Sequence, residues 1–313
     1  MRLATWNVNS VRTRVDRVIA FLKRENVDVL AMQEIKCRPE QFPLGAFAAA
    51  GYEVAVHGLN QWNGVAIASR VGLADVATSF PGQPAWAAKE GAEAVVEARA
   101  LGATVGGSAG AGSSTDLVMP PKAGAAGAAG SAAGPGPAAV GPGPVAVGPG
   151  PAATSEPVRL WSLYVPNGRE LTHPHYEYKL AWLEALRHCV IDWLAADPDR
   201  ALALAGDWNV APRDEDVWDM SVFEGATHVS APERAALAAL ARAGLTEVTR
   251  ERVTNYTYWD YQRLRFPRNE GMRIDFVYGS AALAARVTGA AIDRDERKGK
   301  GASDHVPVIV DLA

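Results

Sequence analysis

With 313 residues, 48% hydrophobic and 21% charged, the chain can bury a large core and is not a disordered protein as a whole. Its formal net charge of −4 argues against a broadly basic surface, so a polyanionic partner would have to be met by local positive charge or a cation held by acidic ligands. Two cysteines, Cys37 and Cys189, make no disulfide framework and read as buried thiols in a reducing compartment. Met1 to Asn7 has no apolar leader, and no window reaches about 18 uninterrupted apolar residues. A cytoplasmic protein with no membrane partner is expected.

Residues 2–8 alternate loosely and exit through Asn7-Val8-Asn9-Ser10, a strand with a polar end. Val11 to Asn26 places Val11, Val15, Val18, Ile19 and Leu22 at helical spacing, and Val27 to Met32 is a second apolar strand running into Gln33-Glu34. Such a strand–helix–strand unit makes the two strands parallel neighbours with a right-handed crossover, which sets Asn7 beside Glu34. Tyr52 to His57 and Gly64 to Ser69 flank a short turn and predict an antiparallel hairpin, with His57 structural. Ala94 to Ala100 alternates Val95, Glu97 and Arg99 as an edge strand does.

Composition breaks at about residues 104–157, which are Ala, Gly, Pro and Ser with few large side chains. Glycine does not recur at every third position, which excludes collagen, and so little apolar surface cannot offset ordering entropy. The segment is expected to be a disordered insertion interrupting a hairpin of a single domain spanning 1–313, because a strand resumes at Val158 to Tyr164. That strand exits through Val165-Pro166-Asn167-Gly168-Arg169, and an amphipathic helix from about His175 to Ala196 turns Leu180, Leu183, Leu186, Val190 and Trp193 inward.

Leu202 to Ala205 is a buried strand that stops at Gly206, and Pro212 blocks any quick return to regular structure. Asp207 and Asn209 are thereby delivered at a strand mouth, although Asp-x-Asn alone also reads as an ordinary turn. Ala231 to Ala243 is helical with Pro232 in its first turn; Thr254 to Trp259 and Met272 to Tyr278 read as strands. Ser303-Asp304-His305 feeds a last strand, Val306 to Val310.

Polar residues therefore collect at several strand ends: Asn7, Glu34, Tyr164, Asp207 with Asn209, Asp275, and Asp304 with His305. Carboxylates are rarely buried unless paired or bound to metal, so no apolar-core reading explains the set. Neither thiol has a zinc-ligand spacing. Hard oxygen donors with few histidines point to Mg²⁺, and the set suits phosphoryl transfer to water.

These same residues carry a resemblance. Leu3 to Asn9, Gln33-Glu34-Ile35-Lys36, Tyr164 to Gly168, Gly206 to Asn209, Arg273-Ile274-Asp275 and Ser303-Asp304-His305 resemble the ordered motifs of the exonuclease III family of apurinic/apyrimidinic endonucleases. The resemblance covers the chain apart from the insertion. It implies an α/β fold, a four-layer sandwich of two packed mixed β-sheets flanked by helices. It also implies a Mg²⁺-dependent phosphodiesterase (Mn²⁺ as a substitute), acting as a monomer on double-stranded DNA at abasic sites or 3′ ends.

By the same resemblance Glu34 is the principal metal ligand, with Asn7, Asp207, Asn209, Asp304 and His305 around the metal. Asp207 orients or deprotonates the attacking water, and Asn209 holds it or the phosphate. His305 donates to a phosphoryl oxygen with its tautomer set by Asp275, and Tyr164 contacts the scissile phosphate. Tyr258, Trp259, Met272 and Ile274 form the abasic-sugar pocket, while Lys36 and Arg169 contact phosphates. The chain departs from the family at Asn9, where some members carry a second carboxylate, and at Trp208, where Phe is commoner. Two rival readings are another phosphoesterase of the same superfold, such as an inositol-polyphosphate phosphatase, and an inactive nucleic-acid-binding protein.

Overall fold

The computed structural model describes residues 1–89, 91–107 and 156–313. In chain order the elements are β1 (Arg2–Asn7), α1 (Val11–Arg24), β2 (Val29–Gln33), α2 (Leu44–Ala49), β3 (Glu53–His57), β4 (Val65–Ser69), β5 (Leu73–Ala77) and β6 (Ala100–Val105). They continue with β7 (Val158–Tyr164), α3 (Pro174–Ala196), β8 (Leu202–Asp207), α4 (Ala231–Arg242), β9 (Thr246–Glu247), α5 (Arg265–Arg268), β10 (Asp275–Gly279), α6 (Ala281–Ala284), β11 (Val287–Ile292) and β12 (Val308–Leu312).

Among the described residues these strands form two six-stranded mixed sheets, ordered β11-β12-β1-β2-β4-β3 and β5-β6-β7-β8-β10-β9. The strand–helix–strand unit closes as the spacing requires. β1 and β2 are parallel, with Asn7 opposite Gln33, so Glu34 is the next residue out. In the second sheet β7 and β8 are the parallel pair, with Tyr164 opposite Asp207. β10 then runs antiparallel to β8 and sets Asp275 opposite Asp207.

The layering follows from the two-residue side-chain period of a strand. Leu3, Val29, Ala31, Leu160, Ala203, Ala205 and Val277 form the core between the sheets. The alternate residues point outward: Ala4, Trp6, Leu30 and Met32 pack with Phe21, Leu22 and Phe47 of α1 and α2. On the other side Leu163, Leu202, Leu204 and Phe276 pack with Trp182, Leu183, Leu186 and Leu240 of α3 and α4. The result is helix, sheet, sheet, helix. The same parity puts Asn7, Tyr164, Asp207 and Asp275 on the inner faces, at the end where the two sheets meet.

Polar side chains join the sheets just below that end. Gln33 Nε2 donates to Thr5 Oγ1 at 3.0 Å and to Ser162 Oγ at 3.0 Å, and Ser162 Oγ donates to the Met32 carbonyl at 3.0 Å. All three side chains are fully buried, so each must find its partner inside the protein. Gly206 permits the close approach of β7 and β8, because a Cβ there would lie 1.9 Å from the Leu163 carbonyl oxygen. No helix among the described residues is long and apolar enough to cross a membrane.

Several expectations are corrected. Ala94 to Ala100 is not an edge strand: Val95 makes an isolated bridge to Trp86, and β6 begins only at Ala100. β6 is also an inner strand, between β5 and β7, and it carries the chain past the expected break at 104. β5, on the sheet edge, has no counterpart in the sequence reading. Thr254 to Trp259 is not a strand: its pairing is limited to isolated antiparallel bridges of Tyr258, to Met272 and to His305. The central strand runs on to Asp207, and the strand expected from Met272 begins at Asp275. The hairpin around the insertion does form, with Val105 opposite Val158; the insertion itself, 108–155, lies outside the described residues.

Candidate active site

Asn7 joins the two sheets at the centre of the polar cluster. Its Nδ2 donates to Glu34 Oε1 at 2.9 Å and to Asp207 Oδ2 at 3.0 Å, and lies 3.4 Å from His305 Nε2. One carboxamide therefore spaces a carboxylate of the first sheet from one of the second. His305 reaches the cluster from the loop before β12. That loop is tied to β1, because Ser303 Oγ donates to the Asn7 carbonyl at 2.7 Å and Trp6 Nε1 to the His305 carbonyl at 3.1 Å. His305 Nδ1 faces Asp275 Oδ2 at 2.9 Å, and Nε2 lies 3.7 Å from Asp207 Oδ2. Asp275 is aimed by its strand start, where the Ile274 and Asp275 amides both donate to the buried Thr257 hydroxyl at 3.1 Å.

The electrostatics follow from burial and from these neighbours. Burial pushes the Asp207 carboxyl up to about 7; Asp275 and Glu34 add to this, against the pull of His305 and Asn7. For His305 burial opposes the charge, but the Asp275, Asp207 and Asp304 carboxylates prevail and raise it to about 10. The ring is thus an imidazolium, fixed by Asp275, with Nε2–H as a donor on the side of Asp207. Glu34 stays below the ordinary carboxylate range despite burial, because Lys36 Nζ pairs with its Oε2 at 2.7 Å and Asn7 donates to the other oxygen. The Tyr164 phenol is pushed well above its ordinary value by burial and by Glu34, so it remains a donor.

Glu34, Asp207 and His305 each bring one ligand atom within 4.8 Å of the others. Two hard carboxylates at that spacing fit a divalent cation. His305 fits less well, because its Nδ1 is taken by Asp275 and its Nε2 already lies against Asp207 Oδ2 and Asn7 Nδ2. Asp304 stands one step away, accepting from Asn9 Nδ2 at 2.9 Å. Asn9 in turn accepts from Lys36 Nζ at 2.5 Å. A neutral carboxamide and an ammonium therefore occupy the Asn9 corner.

Of the expected sugar-pocket residues, Tyr258 has its ring 4.8 Å from the His305 ring and packs against the apolar cluster in which Met272 and Ile274 are buried with Ala211, Val217 and Val229. Trp259 is buried against Phe266. Arg169 is exposed, 3.1 Å from His173 Nε2.

A second group joins Asn209, which the sequence had marked, to Asn167 and to His228, which sequence reasoning missed. His228 Nε2 lies 3.1 Å from Asn209 Oδ1 and 3.2 Å from Asn167 Nδ2, and Asn167 Nδ2 donates to Asn209 Oδ1 at 3.2 Å. Burial, then Lys179, pushes His228 down to about 3, so its ring is neutral. Sequence reasoning also missed Arg99, whose buried guanidinium lies 4.8 Å from the centre of the Tyr164 ring. No local motif announces His228 or Arg99. For His228 backbone conformation does, since it shares a φ between 42° and 86° with Asn9, Ser10, Glu34, Lys36, Arg169 and Asn209, and strained backbone of this kind clusters at functional sites.

Comparisons with known proteins agree with this fold. Residues 4–305 match the model of the endonuclease/exonuclease/phosphatase family. Exodeoxyribonuclease III of Haemophilus influenzae is 23% identical, over 98% of each chain. An exodeoxyribonuclease of Bacillus subtilis is 29% identical, over 49% of this chain and 59% of its own. Among solved structures, a Neisseria 3′ phosphatase bound to a product DNA hairpin superposes with a TM-score of 0.77 at 28% identity, covering 100% of this chain and 99% of the other. An AP endonuclease from Archaeoglobus fulgidus gives 0.75 at 26% identity, with the same coverage.

Proposed function

Because the chain belongs to the endonuclease/exonuclease/phosphatase family, we propose that it is a Mg²⁺-dependent DNA-repair hydrolase, with Mn²⁺ as a substitute. Its substrate is double-stranded DNA, cut 5′ to an abasic site and trimmed at 3′ ends, and it acts as a monomer. The observation that carries this reading is the chain of contacts Asp275–His305–Asp207–Asn7–Glu34 across the ends of two facing sheets. The names of the relatives supply the DNA: exodeoxyribonucleases, an AP endonuclease and a 3′ phosphatase.

Each residue has a role that its environment supports. Asp207 takes the proton of the attacking water, since burial has moved its carboxyl to about 7, near working pH. The Asn209 amide donates to Asp207 Oδ1 at 2.9 Å and fixes the carboxylate, while Asn209 Nδ2, anchored on the Val165 carbonyl at 2.9 Å, holds the water or the phosphate with its other N–H. His305 donates from Nε2 to a non-bridging phosphoryl oxygen, and Asp275 holds the tautomer that makes this so. Tyr164 donates its phenolic proton to the phosphate. Held by Glu34 with Asp207, a divalent cation would supply further neutralisation of the charge that develops there. Lys36, Arg169 and Tyr258 lie at the rim, where backbone phosphates and a base-less sugar would pass.

The test uses three labelled duplexes, carrying an abasic-site analogue, a 3′-phosphate and a recessed 3′-hydroxyl, each with Mg²⁺ and with EDTA. Metal-dependent cleavage is expected, reduced by about 10³-fold or more in Asp207→Asn and His305→Ala, since acid–base and electrostatic terms are both removed. Failure on all three duplexes, with phosphate released instead from inositol phosphates, would reject DNA as the substrate. Binding to DNA without cleavage of any substrate would reject the enzyme.

A further inference from the structure

Behind the Asn167–Asn209–His228 row lies an ion pair that the catalytic reading does not use. Lys179 on α3 and Glu233 on α4 are both fully buried and in direct contact. The ammonium has three N–H groups and three acceptors: Glu233 Oε1, the Asn209 carbonyl at 2.6 Å and the Asn167 carbonyl at 3.2 Å. Glu233 uses the same oxygen to accept from the Thr227 hydroxyl at 2.7 Å and the His228 amide at 3.0 Å. Its other oxygen accepts from the Ser230 amide at 3.1 Å in the capping box that starts α4. One pair thus touches the loop after β7, the loop after β8 and the approach to α4.

The loops need holding. Asn209 has φ 50° and His228 φ 78°, both left-handed, a region non-glycine residues enter only at some cost, so surrounding contacts must favour it. Gly168 has φ 93° and no room for a side chain, since a Cβ would lie 2.8 Å from Thr227 Oγ1 and 3.2 Å from Lys179 Cδ. Replacing a buried pair by apolar residues is often neutral or stabilising, so stability alone is a weak account of a fully buried Lys–Glu pair. Fixing geometry is the better one.

We propose that Lys179 and Glu233 are a positioning pair that locks the backbones of Asn167, Asn209 and His228, so that their side chains form one substrate-facing row beside Asp207. The row grades outward, from Asn209 at 4% exposure through half-buried His228 to exposed Asn167. Resting on the reading of the site as a phosphodiesterase, the row takes a backbone phosphate next to the scissile one. Asn167 Nδ2 and Asn209 Nδ2 each spend one N–H inside the protein, on Asn209 Oδ1 and on the Val165 carbonyl, and the N–H that each has left is a donor for phosphate that adds no charge beside Asp207.

The experiment compares the full-length wild type with Lys179→Met and with the neutral pair Lys179→Gln/Glu233→Gln, each also in an Asn209→Ala background. Hydrogen exchange is followed by mass spectrometry over 165–169, 207–212 and 226–230, with 3–9 and 29–36 as internal controls. Exchange is expected to rise tenfold or more in the three loops and to stay within twofold in the controls. The kcat should fall 10- to 100-fold in the Asn209 background and less than threefold once Asn209 is already Ala, with KM for the duplex changed less. Equal losses in both backgrounds, uniform exchange across loops and controls, or failure of both variants to fold would each overturn the proposal in favour of a merely structural pair. Exchange confined to the loops in a protein without nuclease activity would uphold the positioning role and reject the proposed function instead.

Discussion

The two halves of the site are built in different ways. Asn7, Glu34, Tyr164, Asp207 and Asp275 stand at or one residue beyond strand ends, and their places follow from register and from the two-residue period. Asn167, Asn209 and His228 stand on loops, and their places follow from a buried ion pair and left-handed backbone. The first half holds the charges and the second holds neutral donors and acceptors. A sheet end resists displacement because a one-residue slip would expose a whole buried face, whereas a loop needs a dedicated anchor. The chemistry that demands the tightest geometry is on the sheets.

The largest effect expected from breaking the strand half comes from Asp275→Asn. The amide occupies the same space but no longer favours the imidazolium or enforces Nδ1–H, so His305 loses its donor toward the phosphate. A kcat loss of about 10²- to 10⁴-fold is expected, as for other carboxylate–histidine pairs whose tautomer is no longer enforced. Little change is expected in thermal stability. Single-turnover cleavage of the abasic duplex, read with a melting curve, checks both. A loss below about tenfold would mean that Ser303 and the last loop alone hold the ring.

Gly206→Ala would strike the scaffold of the same half. A Cβ 1.9 Å from the Leu163 carbonyl oxygen, and 3.0 Å from its nitrogen, cannot be relieved by a side-chain rotation, so β7 and β8 must separate locally. A destabilisation of about 3 kcal/mol is expected from such overpacking, visible in urea unfolding. Tyr164 and Asp207 face each other one step further along, so activity should fall as well. The Lys179 variants, by contrast, act on the loops and should leave this register intact.

The halves were also unequally legible. The uninterrupted apolar run Leu202 to Ala205 places Asp207 at a strand mouth, and the strand–helix–strand spacing at the start of the chain sets Asn7 beside Glu34, while only the family resemblance brings the two together. For Asn7 and Glu34, period and handedness leave few other arrangements. Lys179 and Glu233 are 54 positions apart, and no local pattern couples them. Two partial signals existed: Lys179 falls on the stripe of His175, Trp182 and Leu186 along α3, and Ser230 with Glu233 spells a capping box. Neither says that the two meet. Misreadings came where composition stood in for bonding. The alternation at Val95 to Arg99 belongs to a segment with one bridge and no ladder, and the small residues of β6 blended into the insertion that follows.

The smallest effect joins the two halves through His175, at the head of α3. Its Nδ1 accepts the Gly168 amide at 3.1 Å, so the ring helps to hold the Asn167 loop and can do so only while that nitrogen is unprotonated. Burial, and then the neighbours Arg99, Arg169, His173 and Lys179, push its pKa down to about 3, against an ordinary value of 6.5. The folded state therefore binds fewer protons than the unfolded chain throughout that window. Its contribution is complete above about pH 6.5 and is lost as pH falls toward 3. Between pH 7 and 4.5 the cost is on the order of 2 kcal/mol. His175→Asn removes the titration while keeping an acceptor near the place of Nδ1. Melting temperature should fall less steeply with acid in the variant than in the wild type, although both lose the stability of their other acidic pairs. Parallel slopes would mean that the Gly168 amide finds another acceptor in acid, and that Lys179 and Glu233 hold the loop without the ring.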